Sequence, residues 1–105
     1  MTVDEFSKYV IDNMHRATLV NSLNVSKKLI DGIYDVNEFI KISLEYVSEL
    51  LSKDKISPEM ASRLSVAFYN CRKDYNSDYN YNKSMLLNDL IINMWEILCG
   101  VWGCI

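Results

Sequence analysis

The chain has 105 residues, of which 50% are apolar and 24% charged, and its formal net charge is −3. This length accommodates one domain and excludes a two-domain enzyme. The apolar fraction is that of a protein with a core and excludes a disordered segment. One proline and three glycines are too few for the many tight turns of a β-sandwich or barrel. We therefore predict an all-α fold: a single helical domain over residues 1–105, built as a bundle of four to five helices.

Charge and cysteine content indicate a cytoplasmic protein. A small negative net charge gives no general attraction to phosphate or anionic lipid. Three cysteines are an odd number without the spacing of a disulfide framework, which favours a reducing compartment. The chain opens with acidic and amphipathic residues rather than the basic and apolar run of a signal peptide. We expect the cytoplasm of the source cell or of an infected host.

The amino-acid usage also bears on the origin of the gene. Lys, Asn, Ile and Tyr together total 35 residues, whereas Gly, Ala, Arg and Pro total 10. The first group has AT-rich codons and the second has GC-rich codons. We therefore expect an AT-rich genome, that of a low-GC bacterium, a phage or plasmid, or a virus.

The first helix is predicted from a cap and an apolar stripe. Thr2 and Glu5 form a capping box, and apolar residues then recur every three or four positions. The stripe drifts on to Gly32, a natural helix stop because glycine tolerates a left-handed backbone. The β-branched and Asn-rich stretch 18–25 is a weak helix former. Residues 3–31 therefore form either one long helix or two shorter ones.

Two middle helices are predicted from their starting signals. Asp35 and Glu38 form a second capping-box pattern, and the helix that follows is expected to run to about Lys53. Ser57, followed by proline and glutamate, starts the next helix. Proline at the first helical position loses no hydrogen bond, and the glutamate faces the positive end of the helix. This helix is expected to end near Asp74.

The last helix is predicted to be apolar on almost every side. It follows a polar tract, residues 75–82, whose Asn, Asp and Ser favour turns. From Ser84 to the end of the chain two apolar stripes overlap, and residues 100–105 carry no charge. A helix of this kind is buried from several directions or enters a membrane. We expect it to be the central helix of the bundle.

This apolar C-terminal helix is the strongest functional signal in the sequence. Trp and Met are enriched in desolvated interfaces, so we predict contact with a protein partner or a second copy of the chain, with packing on its own bundle as the alternative. The stretch from Leu90 to the end of the chain contains a single charged residue, but at 16 residues it is shorter than the roughly 20 of a spanning helix. No membrane contact is therefore expected. The charged residue, Glu96, pairs with a basic residue of another helix, fixes the register of a dimer, or faces solvent. The predicted interface residues are Trp95, Leu98, Val101, Trp102 and Ile105.

A second candidate surface surrounds the polar tract. Basic residues alternate there with tyrosines, a pattern typical of surfaces on which single-stranded nucleic acid stacks. Asp74 and Asp78, however, cancel two of the three positive charges. Exposed Tyr and Asn also suit contact with a protein, and a plain solvent loop is the remaining possibility. Nucleic-acid association is therefore the alternative function. The residues of this surface are Arg72, Lys73, Tyr75, Tyr79, Tyr81 and Lys83.

The sequence offers little for catalysis, metal or cofactor binding. His15 is the single histidine and has no nucleophile elbow or nearby acid, and the three glycines form no phosphate loop. Cys99 and Cys104 diverge by roughly 140° around a helix, which argues against a zinc site with Cys71 and His15. We predict no catalytic residue, metal or cofactor, although a bundle with a ligand cavity beneath the tryptophans is a third possibility. The predicted function is that of a small non-enzymatic interaction protein: an inhibitor, adaptor or immunity-type factor.

Overall fold

In a computed structural model of the chain, the structure describes residues 1–79 and 82–103, and of residues 100–103 only the helical backbone. Within these ranges the chain forms five α-helices and no β-strand, which confirms the predicted all-α bundle. A single 3-10 turn, Met14–Arg16, joins the first two helices. The helices are α1 (Val3–Asn13), α2 (Leu19–Ile30), α3 (Val36–Ser52), α4 (Pro58–Tyr75) and α5 (Lys83–Gly103).

The N-terminal part of the chain forms two helices rather than one. Helix α1 ends at Asn13, and Thr18 caps α2 by accepting the main-chain N–H of Asn21 at 3.2 Å. The break therefore precedes the stretch 18–25, which is itself mostly helical because tertiary packing overrides its weak propensity. Gly32 ends α2 as predicted, with a positive φ of 76°.

The predicted helix starts are confirmed by their caps. The Thr2 hydroxyl accepts the Glu5 N–H at 3.1 Å, and the Glu5 carboxylate accepts the Thr2 N–H at 3.2 Å. The hydrogen bond that the Glu5 carboxylate accepts from the Thr2 main chain, followed by one from the Thr2 side chain, holds the pKa of Glu5 below its usual value. The Asp35 carboxylate accepts the Glu38 N–H at 2.9 Å, and Ser57 accepts an N–H in the first turn of α4. Local sequence is sufficient to fix these three starts.

The helices share one hydrophobic core. Helix α5 packs against α2, α4 and the 3-10 turn, while α3 packs against α1 and α4. Three phenylalanines from α1, α3 and α4 meet at the centre: the ring centroids of Phe6 and Phe39 are 5.6 Å apart, and those of Phe39 and Phe68 are 6.2 Å apart. Every helix contributes to this core, so the described elements form a single packed unit.

Helix α5 packs against three elements, as expected of a central helix, but its described part is not enclosed on every side. One face, with Ile91 and Met94, is buried in the core. The opposite face exposes Asp89, Asn93 and Glu96, which recur every three or four residues and so form one solvent-facing stripe. Glu96 is exposed to solvent and has no ion pair within the described ranges, whereas a role in fixing the register of a dimer stays a prediction. No helix in the described ranges is both long and apolar enough to cross a membrane.

Candidate functional site

The predicted interface residues that the structure describes are used inside the chain. The indole Nε1 of Trp95 donates to the main-chain carbonyl of Ala17 at 2.8 Å, which ties α5 to the connection before α2. Leu98 is half-buried against the core. The side chains of Val101 and Trp102, and all of Ile105, lie outside the described residues. Contact between these five residues and a partner therefore stays a prediction.

The 3-10 turn is held between α2 and α5. The Cys99 sulphur lies 3.4 Å from the carbonyl oxygen of Met14. On the other side the Ser22 hydroxyl lies 3.4 Å from the Met14 sulphur and donates to the Thr18 carbonyl at 3.0 Å. Together with the Trp95 indole, these contacts fix the direction in which α2 leaves the turn.

In the second predicted surface, basic groups cover the protein's own tyrosines. The Arg72 guanidinium lies 5.0 Å from the centroid of the Tyr69 ring, and the Lys83 ammonium lies 4.6 Å from that of Tyr75. Tyr75 is also half-buried against the core. One face of each ring is therefore already occupied, which leaves less room for a stacked base.

The remaining residues of the second surface are spread around the end of α4. Lys73 and Tyr79 are exposed, and Tyr81 lies outside the described residues. Next to them the side-chain amides of Asn76 and Asn37 exchange hydrogen bonds of 2.8 and 3.2 Å and fasten the end of α4 to α3. Apart from Lys83 over the Tyr75 ring, the described contacts do not bring the basic side chains and tyrosines of the predicted surface together.

Helix α2 buries Leu29 but leaves most of its other large apolar side chains exposed. It buries two serines, Ser22 and Ser26, whereas Leu19, Val20 and Leu23 remain 46%, 67% and 38% exposed. An amphipathic helix normally turns its larger apolar side chains inward. The outward face of α2, by which we mean Leu19, Val20, Leu23 and Ile30, is therefore an apolar surface that the chain itself leaves open.

Helix α5 lies beside α2 and also carries an exposed apolar side chain. Ser26 of α2 is hydrogen-bonded to Asn88, and Trp95 reaches back to a residue before α2, so α2 and α5 run antiparallel. At this register Met85, which is exposed, lies at the same level as Ile30. Met85 and Ile30 are therefore exposed apolar side chains near the same end of the α2–α5 pair.

A groove of about 400 Å³ lies between α1 and α2 on the other flank of α2. Its floor includes Val10 and Met14, both buried, together with parts of Ala17 and Val25. All the polar side chains around it can donate hydrogen bonds, and none of the described residues that line it is a carboxylate. These polar residues of the α1–α2 groove are Tyr9, Asn13, Arg16, Asn21, Asn24 and Lys28.

Helix α2 and its approach also form the basic part of an acidic chain. Residues 13–30 contain Arg16, Lys27 and Lys28 and no Asp or Glu, whereas the rest of the chain has eight Lys and Arg against fourteen Asp and Glu. Within the described ranges no carboxylate pairs with these three cations. Arg16 donates to the exposed His15 ring at 3.1 Å, and the Lys28 ammonium lies 5.9 Å from a phenylalanine ring centroid. The ion pairs found are Lys8 with Asp4 and Lys53 with Glu49.

Reactive side chains are few among the described residues. Burial, and secondarily Asp74, raises the pKa of the Cys71 thiol to about 11, so this thiol stays protonated near neutral pH. The Cys71 sulphur lies 4.0 Å from the Leu86 carbonyl oxygen. In the part of the chain that the structure describes, no three His, Cys, Asp or Glu side chains are grouped to hold a metal ion.

Comparison with known proteins finds no family model, no curated protein and no solved structure that matches this chain.

The outward face of α2 was missed by the sequence analysis, although a signal for it is present. Leu19, Leu23 and Ile30 are spaced four and seven residues apart and fall on one helical face, and residues 13–30 lack acidic side chains altogether. From the sequence alone, this stretch is only the drifting continuation of the apolar stripe of the first helix. Which face of α2 is buried follows instead from the serines that contact α5 and the 3-10 turn.

Proposed function

We propose that the protein acts by binding another protein, without catalysing a reaction, and that the outward face of α2 is the main contact. The observation that carries this proposal is that α2 buries Ser22 and Ser26 while it exposes Leu19, Val20 and Leu23. Exposed apolar side chains on one face add little to the fold, but their burial by a partner is favourable. Contiguous apolar surface of this kind marks sites of protein interaction.

The proposed role is that of an inhibitor, adaptor or immunity-type factor in the cytoplasm, encoded by an AT-rich microbe, mobile element or virus. A chain of 105 residues with one packed core suits a role that needs a surface rather than an enclosed active site. Self-association through Val101, Trp102 and Ile105 is a separate prediction. The contacts of Arg72 and Lys83 with tyrosines of the same chain weigh against nucleic-acid binding at the end of α4.

The proposal is tested with a panel of amphipathic helical peptides of about 18 residues, or five turns. Each has one leucine face, and the opposite face is acidic, neutral or basic. Leu19→Ser/Leu23→Ser removes two side chains of the outward face. Leu51→Ser/Val66→Ser is the matched control, because these side chains are 37% and 54% exposed on α3 and α4.

We expect the wild type and the control to bind at least one class of peptide, and the α2 double variant to bind it about tenfold more weakly or less. Fluorescence anisotropy measures the affinity, and circular dichroism confirms that all three proteins are folded. Equal affinity for the two double variants, or no binding by the wild type, would contradict a protein-binding role for α2.

A further inference from the structure

We infer that the segment of the partner that binds α2 is an acidic amphipathic helix. Its apolar face would cover the outward face of α2, and its carboxylates would meet Arg16, Lys27 and Lys28. This inference rests on the proposed function and adds the chemical class of the partner. It follows from the distribution of charge, from the order of residues along α2 and from the α1–α2 groove.

The first argument is the uncompensated charge. Residues 13–30 carry a net charge of +3 in a chain whose net charge is −3, and within the described ranges their cations have no carboxylate partner. The rest of the chain has eight Lys and Arg against fourteen Asp and Glu, so an acidic segment is attracted most strongly to this side of the molecule. Complementary charge sets both the rate and the orientation of association.

The helix dipole does not account for this pattern. Lysines in the last turn of α2 do complement the negative end of the helix, and the same reasoning favours Asp or Glu in the first turn. Helices α1, α3 and α4 each have an acidic residue in the first turn, whereas α2 and α5 have none. Helix α2 thus lacks negative charge even where its own stability favours it.

The second argument is the order of residues along α2. Residues four apart lie above one another on a helix. One ridge runs from Leu19 through Leu23 to Lys27, and the next runs from Val20 through Asn24 to Lys28. Both ridges begin with an apolar side chain and end with a cation, so one bound helix meets apolar groups and bases in a fixed order.

The third argument is the α1–α2 groove beside the second ridge. Its polar lining offers the guanidinium of Arg16, the ammonium of Lys28 and the amides of Asn21 and Asn24 above an apolar floor. A carboxylate accepts hydrogen bonds from all of these groups, and its bonds to the charged ones are the strongest of the set. An acidic side chain of the bound helix therefore has a receiving site there.

Two other occupants fit less well. In a symmetric dimer through α2 two segments of net charge +3 face each other, and neither offers a carboxylate to the lysines of the other. The phosphates of a nucleic acid would pair with the basic side chains, but Leu19, Val20 and Leu23 would then lie against a polar backbone. An acidic amphipathic helix satisfies the bases and covers the apolar side chains.

The test compares three labelled probes on the intact protein: a helical peptide with one leucine face and glutamates elsewhere, its counterpart with lysines in place of the glutamates, and a single-stranded DNA oligonucleotide. We expect the acidic peptide to bind about tenfold or more tightly than the basic one, and its affinity to fall as salt is raised. Lys27→Glu/Lys28→Glu should reverse this preference. Lys41→Glu/Lys55→Glu changes the net charge equally at exposed positions outside α2 and should retain it.

Each other result is decisive. Equal affinity for the acidic and basic peptides in the wild type overturns the acidic partner but leaves protein binding by α2 standing. Binding of neither peptide overturns the acidic partner, and it overturns protein binding by α2 as well if the neutral peptide of the first panel also fails to bind. Tighter binding of the oligonucleotide than of the acidic peptide, lost in Lys27→Glu/Lys28→Glu, assigns the basic segment to nucleic acid instead.

Discussion

Helices α2 and α3 both carry an apolar stripe, and they use it in opposite ways. Helix α3 buries Phe39 and Val47 completely against α1 and α4. Helix α2 contributes Leu29 alone to the buried core, among the described residues, and fills its contact with α5 and the 3-10 turn with Ser22 and Ser26. The apolar residues of α3 hold the fold together, whereas most of those of α2 remain available for a contact with another molecule.

The difference has a physical basis in how each helix is attached. Full burial of a leucine or phenylalanine contributes about 1.5–3 kcal/mol, and a half-exposed side chain contributes correspondingly less. Helix α2 relies more on directional contacts: the hydrogen bond of Ser26 with Asn88, and that of Trp95 with the carbonyl of Ala17 just before the helix. Such bonds fix the position of α2 without using its leucines.

The largest expected effect on stability is the difference between leucine-to-alanine substitutions at two positions. Leu64, at 0% exposure on α4, and Leu23, at 38% exposure on α2, are each changed to alanine. We expect Leu64→Ala to lower the free energy of unfolding by about 3 kcal/mol or more, because it leaves a cavity, and Leu23→Ala to lower it by about 1 kcal/mol or less. Urea denaturation measures both. Equal losses would show that Leu23 belongs to the core.

The substitution Trp95→Phe tests how α2 is attached to α5. This change removes the indole donor to the Ala17 carbonyl, so we expect a loss of about 1 kcal/mol in the free energy of unfolding. Hydrogen exchange should become faster at the start of α2 and stay unchanged in α3. Tyr34→Phe is the control, since it removes a longer, exposed hydrogen bond of 3.2 Å to the Met1 carbonyl. Faster exchange throughout α3 would contradict a local role for Trp95.

The smallest expected effect on stability appears only at high pH and concerns the hydrogen bond that joins α3 to α1. The Tyr46 hydroxyl donates to Asp12 of α1 at 2.6 Å, and burial, followed by this hydrogen bond and the charge of Asp12, raises the pKa of Tyr46 to about 12. The pKa of an unfolded tyrosine is about 10, so the stabilising contribution of Tyr46 is complete below that pH and is lost as the pH rises through about 12.

Replacement of Tyr46 by phenylalanine tests this contribution. Stability measured by urea denaturation should fall less steeply with pH in this window than in the wild type. Tyr9→Phe, at an exposed position, should leave the slope of the wild type unchanged. The same slope for Tyr46→Phe and the wild type would mean that the hydrogen bond to Asp12 does not hold α1 on α3.

The starts of α1, α3 and α4 could be predicted because each depends on residues within one helical turn. Thr2, Asp35 and Ser57 cap the main chain beside them, and Gly32 ends α2 through its own backbone. The positive φ of 55° at Asp54 was not predicted, since the local sequence shows only a polar connector there.

The orientation of α2 and α5 could not be predicted because it depends on residues far apart in the chain. The Trp95 indole meets a carbonyl 78 residues earlier, and Ser26 meets a side chain 62 residues later. Periodicity shows that a helix has an apolar stripe, but the neighbours decide which stripe is buried. The candidate site on α2 therefore becomes visible only once its serines are seen against α5 and the 3-10 turn.

Hydrogen exchange of the intact protein, with and without the acidic amphipathic peptide, tests most directly whether α2 is a docking surface. We predict that the peptide slows exchange in α2, residues 19–30, and at the rim of the α1–α2 groove, while α3 exchanges at an unchanged rate. Slower exchange confined to the C-terminal turns of α5 or to the end of α4, with α2 unaffected, would contradict the assignment and place the contact on the surfaces that the sequence first suggested.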